Sequence, residues 1–329
     1  MRKIIPFLLC GILLIAALNG CAKPAQTADN GKINIVATIF PEYDFARAIA
    51  GDRANITMLM SPGASVHSFD PSPSDIIKIQ NADVFIYIGG ESDAWVDTML
   101  DSIDTSHMKI IRLMDHIDAF EEEIKEGMEH GEEDGHEEHA GESEHSENEE
   151  HEEEPLDEHI WTSLKNAIIL IDAIRGGICE KDSANTAFYT KNATNYQNEL
   201  KKVDEEITNI VSTAKRKKII VADKFPFLYF VRAYGLDYEA AFPGCSDQAD
   251  AGAKTIAHLI GAVAEGQIPY IYHVELSNKS VAEAIAEQTG AEMLLLNSCH
   301  NLSKEDFDNG ATYLSLMQQN AENLKKGLN

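Results

Sequence analysis

The sequence predicts an α/β protein of two parallel-sheet α/β lobes joined by one long backbone helix. Three observations carry this. Short apolar runs alternate with helical patterns, the signature of parallel βα units. A polar stretch at 183–215 reads as one helix of about 33 residues, near 50 Å long at 1.5 Å per residue. Beyond it the alternation begins again. The length of 329 residues agrees, since roughly 100–200 residues make one domain.

In order, 33–38 reads as a buried strand, followed by a helix over 42–50 that stops at Gly51. A second strand spans 56–60 and a short helix 75–81. A third strand, 83–88, ends in Gly89-Gly90, and a helix follows over 94–103. The fourth strand is 109–113. After an acidic insert comes a helix over 163–179, then Asp182, placed to cap the long helix. The second lobe repeats the scheme: strand 218–222, helix 225–234, strand 238–242, helix 249–265, strand 270–274, helix 280–289, strand 292–296 and a last helix over 305–326. The expected domains are therefore 33–180, a linking helix 181–217, and 218–329.

The first 20 residues are an address. Arg2 and Lys3 precede an apolar run to Leu18; fifteen residues span about 22 Å, too short for the roughly 30 Å hydrocarbon layer. That is a secretory signal. It ends in Leu18-Asn19-Gly20-Cys21, which resembles the bacterial lipobox and makes Cys21 the expected lipidation site. Residues 21–32 then read as a tether. The product is expected outside the cytoplasm, held on the cell membrane by its lipid. Cys179 lies on the stripe of Ile168, Ile171, Ile174 and Ile178 and is expected to pack as a small hydrophobe. Cys245 and Cys299 are free to pair in an oxidising compartment, or to ligate metal.

The formal charge is −28, which argues against a nucleic-acid partner. It is unevenly spread: 121–158 holds about 20 acids and one base, leaving roughly −9 for the remainder. This insert carries His130, His136, His139, His145 and His151 among Glu and Gly. With few apolar residues it is expected to be disordered, and its spaced imidazoles suit a weak metal collector.

Ligands of open α/β sheets bind beyond the carboxyl ends of strands. Those ends carry 62–70 with His67, Asp223, Glu275, and 297–300 with His300. His159 stands where the insert meets a helix. Histidine nitrogens with a carboxylate are the donors that suit borderline ions such as zinc. Asp223 is equally placed to cap the helix at Phe225, and Glu275 to hold its loop through backbone N–H groups.

Together these residues resemble the metal-binding lipoproteins that serve as substrate-binding components of bacterial zinc and manganese ABC transporters. The resemblance runs from about Ile33 to Leu324. It rests on Val36-Ala37-Thr38-Ile39-Phe40-Pro41, Pro62-Gly63-Ala64-Ser65-Val66-His67, Pro71-Ser72-Pro73-Ser74-Asp75, Ala82-Asp83-Val84-Phe85 and Asp157-Glu158-His159-Ile160-Trp161-Thr162-Ser163-Leu164. It implies a metal site in the cleft between lobes, with His67 and His159 as first-lobe ligands. The third family ligand, commonly His or Glu, should follow strand 218–222; here Asp223 is the nearest candidate. The fourth, often Asp, should follow the last strand, where His300 is the best donor and Glu275 an alternative. Zn²⁺ is the expected cargo, with Mn²⁺ the alternative, and a membrane permease the expected partner. No enzyme is expected: the chain has no HExxH, GxSxG or GxxxxGK[ST] pattern. A surface adhesin is the other competing function.

Overall fold

The computed structural model describes residues 31–64, 69–128, 155–246 and 250–329. The leader 1–20, Cys21, His67 and the five histidines of the insert lie outside the described residues. The first lobe comprises β1 (Ile33–Ala37), α1 (Phe40–Ala50), β2 (Ala54–Met58), α2 (Pro73–Gln80), β3 (Val84–Tyr87), α3 (Ala94–Ser102) and β4 (Lys109–Arg112). After the insert come α4 (Leu164–Lys181) and the long α5 (Thr186–Thr213). The second lobe holds β5 (Lys218–Phe225), α6 (Leu228–Tyr234), β6 (Asp237–Pro243), α7 (Ala253–Gly266), β7 (Tyr270–His273), α8 (Ser280–Thr289) and β8 (Glu292–Leu295). The short α9 (Lys304–Asp308) and α10 (Tyr313–Gly327) close the chain.

Each lobe has a four-stranded, all-parallel sheet of the same order, β2-β1-β3-β4 and β6-β5-β7-β8. Strand order therefore reverses between β1 and β3, and between β5 and β7. A crevice at the carboxyl ends is expected at such a switch point. The period of two along each strand sorts side chains between faces. Val84 and Ile86 enter the central core, whereas Phe85 and Tyr87 join an outer one with Val36, Leu59, Ile79 and Val96. In β5, Ile219 and Val221 face the central core, while Ile220 and Ala222 pack outward on Leu259, Val263 and Ile285. Both faces are covered, as parallel sheets require.

The central core continues from one lobe into the other through Phe45, Trp161, Ile171, Leu200, Ile207 and Tyr313. Helix α5 buries Tyr189, Ala193, Leu200, Val203, Ile207, Ile210 and Val211, a stripe at spacings of mostly three and four. That stripe packs on α1 and α4 of the first lobe and on α10 of the second. Each fully buried Leu or Ile contributes about 1.5–3 kcal/mol by removal from water. The helix therefore belongs to the core of both lobes.

Several boundaries differ from expectation. Helix α1 begins at Phe40, two residues early, because the Glu42 carboxylate turns back to accept the Ile39 N–H at 2.8 Å. Asp182 does not cap α5. Its carboxylate instead accepts from Asn185 Nδ2 at 2.7 Å and Tyr189 Oη at 2.6 Å, across a short 3₁₀ turn. The last helix is broken into α9 and α10 at Gly310, whose φ of 78° is left-handed, and Thr312 restarts it by accepting the Ser315 N–H. Strand β5 runs on through Asp223 to Phe225, with a register shift between Val221 and Lys224, so α6 starts only at Leu228.

Residues 121–128 and 155–158, expected within a disordered loop, are stems built into the fold. Glu121 bridges Leu156 antiparallel, and Glu122 N donates to Pro155 O at 2.8 Å. Lys125 reaches Asp237 at 3.0 Å and lies over the Tyr238 ring, tying the first stem to the second lobe. Met128 is buried. Cys179 is half-buried against the core, and Cys245 and Cys299 are both free thiols.

Candidate metal centre

His159 follows the second stem and precedes the 3₁₀ turn Ile160–Thr162 that leads into α4. It is 1% exposed. Its backbone N–H donates to Asp157 Oδ1 at 2.7 Å, and its Nδ1 lies 3.0 Å from that same oxygen. Its Nε2 is buried and has no hydrogen-bond partner among the described residues. Such an orphaned nitrogen is uncommon in a folded interior and calls for an explanation.

The second imidazole comes from the other lobe. His300 follows β8 and is 8% exposed. Its ring centre lies 5.2 Å from that of His159, the two planes crossing at 89°. Trp161 completes the group, 5.4 Å from His159 and 4.9 Å from His300, and its Nε1 donates to Ser298 O at 2.8 Å. A buried Glu275 carboxylate holds the His300 loop. It accepts from Ser298 N at 2.7 Å, Ser298 Oγ at 2.5 Å and His300 N at 3.2 Å. Cys299 between them takes a left-handed φ of 61°, which turns the chain so that 298 and 300 can share one carboxylate. Glu275 is thus taken up by the backbone and the Ser298 hydroxyl of this loop.

The chain just before the residues around His67 is tied to the two residues that follow His300. Asn301 Nδ2 donates to Ser61 O at 3.0 Å and Ala64 O at 2.8 Å, and Gly63 N donates to Leu302 O at 2.8 Å. The described chain resumes at Phe69, which lines one small cavity with Thr38, Asp93, Glu158, Trp161 and His300. Asp223 is placed differently from expectation. Its Oδ1 accepts the Lys224 N–H at 2.9 Å and its Oδ2 the Val274 N–H at 3.3 Å, pinning β5 to β7. Among the described residues no group of three or more His, Cys, Asp and Glu side chains converges on a metal position, so Asp223 does not join His159 and His300 in one.

The surroundings are acidic and dry. Burial pushes the Asp93 carboxyl up to about 6, with the Glu158 charge adding to the shift and the Gly89 and Ile88 N–H groups opposing it. Glu42 is driven well above the usual carboxylate range, first by burial and then by the Asp93 charge. Glu158 accepts from Ser92 N at 3.1 Å and from the Ser92 hydroxyl. Burial alone would lower the His159 pKa. The charge of Asp157 and its hydrogen bond, with Glu158 and Glu122 beyond, together hold it above the ordinary value. Carboxylates crowding these imidazoles create a potential that favours a cation, a proton or a metal ion alike. From sequence, Asp157 and Glu158 read as the tail of a solvated charge run. The signal that distinguishes Asp157 is its place two residues before His159, the spacing of a side chain that bonds local backbone.

Comparison with known proteins identifies the family. Residues 35–327 match the family model described as zinc-uptake complex component A, periplasmic. The zinc-binding lipoprotein AdcA of Streptococcus pneumoniae R6 is 31% identical over 320 residues, covering 97% of this chain. The chain spans only 59% of that relative's length. The high-affinity zinc uptake system protein ZnuA of Bacillus subtilis is 30% identical, with 97% of this chain and 95% of that protein covered. Among solved structures, the Zn(II)-bound ZnuA-like domain of S. pneumoniae AdcA superposes with a TM-score of 0.72 at 28% identity, over 91% of this chain and 99% of that one. The metal-dependent lipoprotein YcdH of B. subtilis gives 0.73 at 26% identity, over 91% and 100%. With the family model spanning nearly the whole described fold, and two imidazoles meeting where its lobes join, the chain belongs to the family of periplasmic zinc-uptake complex component A.

Proposed function

We propose that this chain captures Zn²⁺ outside the cytoplasm and hands it to a membrane permease of an ABC transporter. The observation that carries the reading is the His159–His300 pair. Two buried imidazoles from two lobes meet edge to face, and the His159 Nε2 has no hydrogen-bond partner among the described residues. A zinc ion supplies the missing partner. We take His67 as the third ligand, because Phe69, two residues on, lines a cavity with His300, and Ala64, three residues before, is bonded by Asn301 next to His300. Nitrogen donors favour zinc over manganese, which prefers oxygen. The zinc-binding names of AdcA and ZnuA point the same way. Carriage fits better than catalysis, since the pair is nearly closed to water and a hydrolytic zinc needs an open water position. Anchoring through a lipid on Cys21 places the carrier beside its permease.

Titration calorimetry with zinc tests this. His159→Ala, His300→Ala and His67→Ala are each expected to weaken binding at least about tenfold, or 1.4 kcal/mol. Parent-like affinity in both His159→Ala and His300→Ala would remove the site from between the lobes.

A further inference from the structure

We propose that Asp157 is a positioning residue for metal capture: it holds the His159 proton on Nδ1, so that Nε2 presents its lone pair to the ion. The inference rests on the zinc-carrier reading and adds a residue outside its ligand set. A carboxylate only accepts hydrogen bonds, so an Nδ1 lying 3.0 Å from Asp157 Oδ1 is the N–H of the ring. In neutral imidazole the other nitrogen is then unprotonated, and that nitrogen is the buried, unpartnered Nε2.

The carboxylate is itself locked. Its Oδ1 also accepts the His159 backbone N–H at 2.7 Å. The Asp157 N–H donates to Phe120 O at 2.8 Å, and its carbonyl accepts from Tyr229 Oη at 2.8 Å. Tyr229 Oη in turn accepts the Phe120 N–H at 3.0 Å, so the second lobe closes the ring of bonds. The imidazole cannot swing away from Asp157. Gly244 of the second lobe crowds its Nδ1–Cε1 edge, leaving a Cβ there only 3.3 Å from both atoms. Trp161 and His300 cover the remainder. A carboxylate on the far nitrogen of a metal-binding histidine orients the ring and raises its basicity, and its loss commonly costs 10–100-fold in affinity.

The plain alternative is that Asp157 only folds its loop through the His159 backbone N–H. Nitrogen-15 NMR of the full chain, solubilised in detergent, stripped of metal and labelled at histidine, separates the two. His159 is assigned by loss of its signals in His159→Gln. At alkaline pH, where even a raised His159 pKa leaves the ring neutral, the expected spectrum has a protonated Nδ1 and a bare Nε2, and zinc addition shifts Nε2. In Asp157→Asn the side-chain oxygen still accepts both bonds, so the tautomer persists and zinc affinity falls less than about tenfold. In Asp157→Ala the preference for Nδ1–H is lost and affinity falls about 10–100-fold. An Nε2–H tautomer of the neutral ring in the parent overturns the proposal, and this holds even where the Ala variant does not fold. So does an Ala variant that keeps both tautomer and affinity. If the tautomer is as expected but zinc leaves the His159 signals unmoved, the carrier reading fails and the Asp157–His159 geometry stands.

Discussion

Replacing Asp93 with Asn should stabilise the metal-free protein at neutral pH and leave it unchanged in acid. Asp93 sits at the carboxyl end of β3, where its Oδ2 accepts the Ile88 N–H at 2.8 Å and the Gly89 N–H at 3.0 Å. Asn presents an oxygen to the same two donors, so the turn before α3 survives. What changes is the charge. Burial raises the folded-state pKa from 3.8 to about 6, so the fold prefers the neutral acid. A raised pKa contributes stability in full below the unfolded value of 3.8, and that contribution is lost as pH climbs through about 6. A difference of roughly two units at 1.36 kcal/mol each makes the loss about 3 kcal/mol. Asn never ionises and keeps that stability. Relief of the neighbouring Glu42, whose carboxyl is pushed up in part by Asp93, acts in the same direction. Chemical denaturation in the presence of a chelator should therefore place the variant level with the parent at pH 3.5, and up to about 3 kcal/mol above it at pH 7.5. An equal gain at both pH values, or none at pH 7.5, refutes the reasoning.

Two further outcomes follow from single positions. In Gly244→Ala the new methyl stands 3.0 Å from Phe225 O and 3.3 Å from the His159 ring, and the backbone oxygen cannot yield; a loss of about 1–3 kcal/mol in stability together with weaker zinc binding is expected, read by thermal melts and calorimetry, and an unchanged profile contradicts the contact. Cys21→Ser should release the protein from membranes and leave a mass without lipid, as fractionation and mass spectrometry will report; retention at the membrane contradicts the anchor.

The joining of two small sheets through α5 has a mechanical consequence. The stripe from Tyr189 to Val211 is buried against helices of both lobes, and Tyr313 of α10 donates its N–H to Asp44 and its hydroxyl to Trp161 O in the first lobe. A wide opening would expose this shared core, so exchange of the ion calls for local movement at the cleft.

The alternation of strands and helices, the repetition of that pattern and the long connecting helix were legible in the sequence by itself. They follow from the periods of side-chain burial, which are local and survive without knowledge of neighbours. His159, through the family resemblance, and His300, through its place after the last strand, were candidates in the sequence, and the structure brings their ring centres to 5.2 Å. Element ends were less legible. Glu42 pulling α1 back to Phe40, and Asp182 bonding Tyr189 instead of capping, are choices among local hydrogen bonds of similar energy that only packing decides. The direction of a single side chain was not legible at all. Asp223 stands at a strand end like a ligand, yet a register shift in β5 and the adjacent β7 turn its carboxylate onto two backbone N–H groups. Asp157 and Glu158 looked like the solvated end of a charge run, and tertiary structure buries both, one beneath His159 and the other on Ser92. Burial of a charge depends on partners far away in the chain, here Phe120, Tyr229 and Ser92, and sequence composition carries no record of which partners those will be.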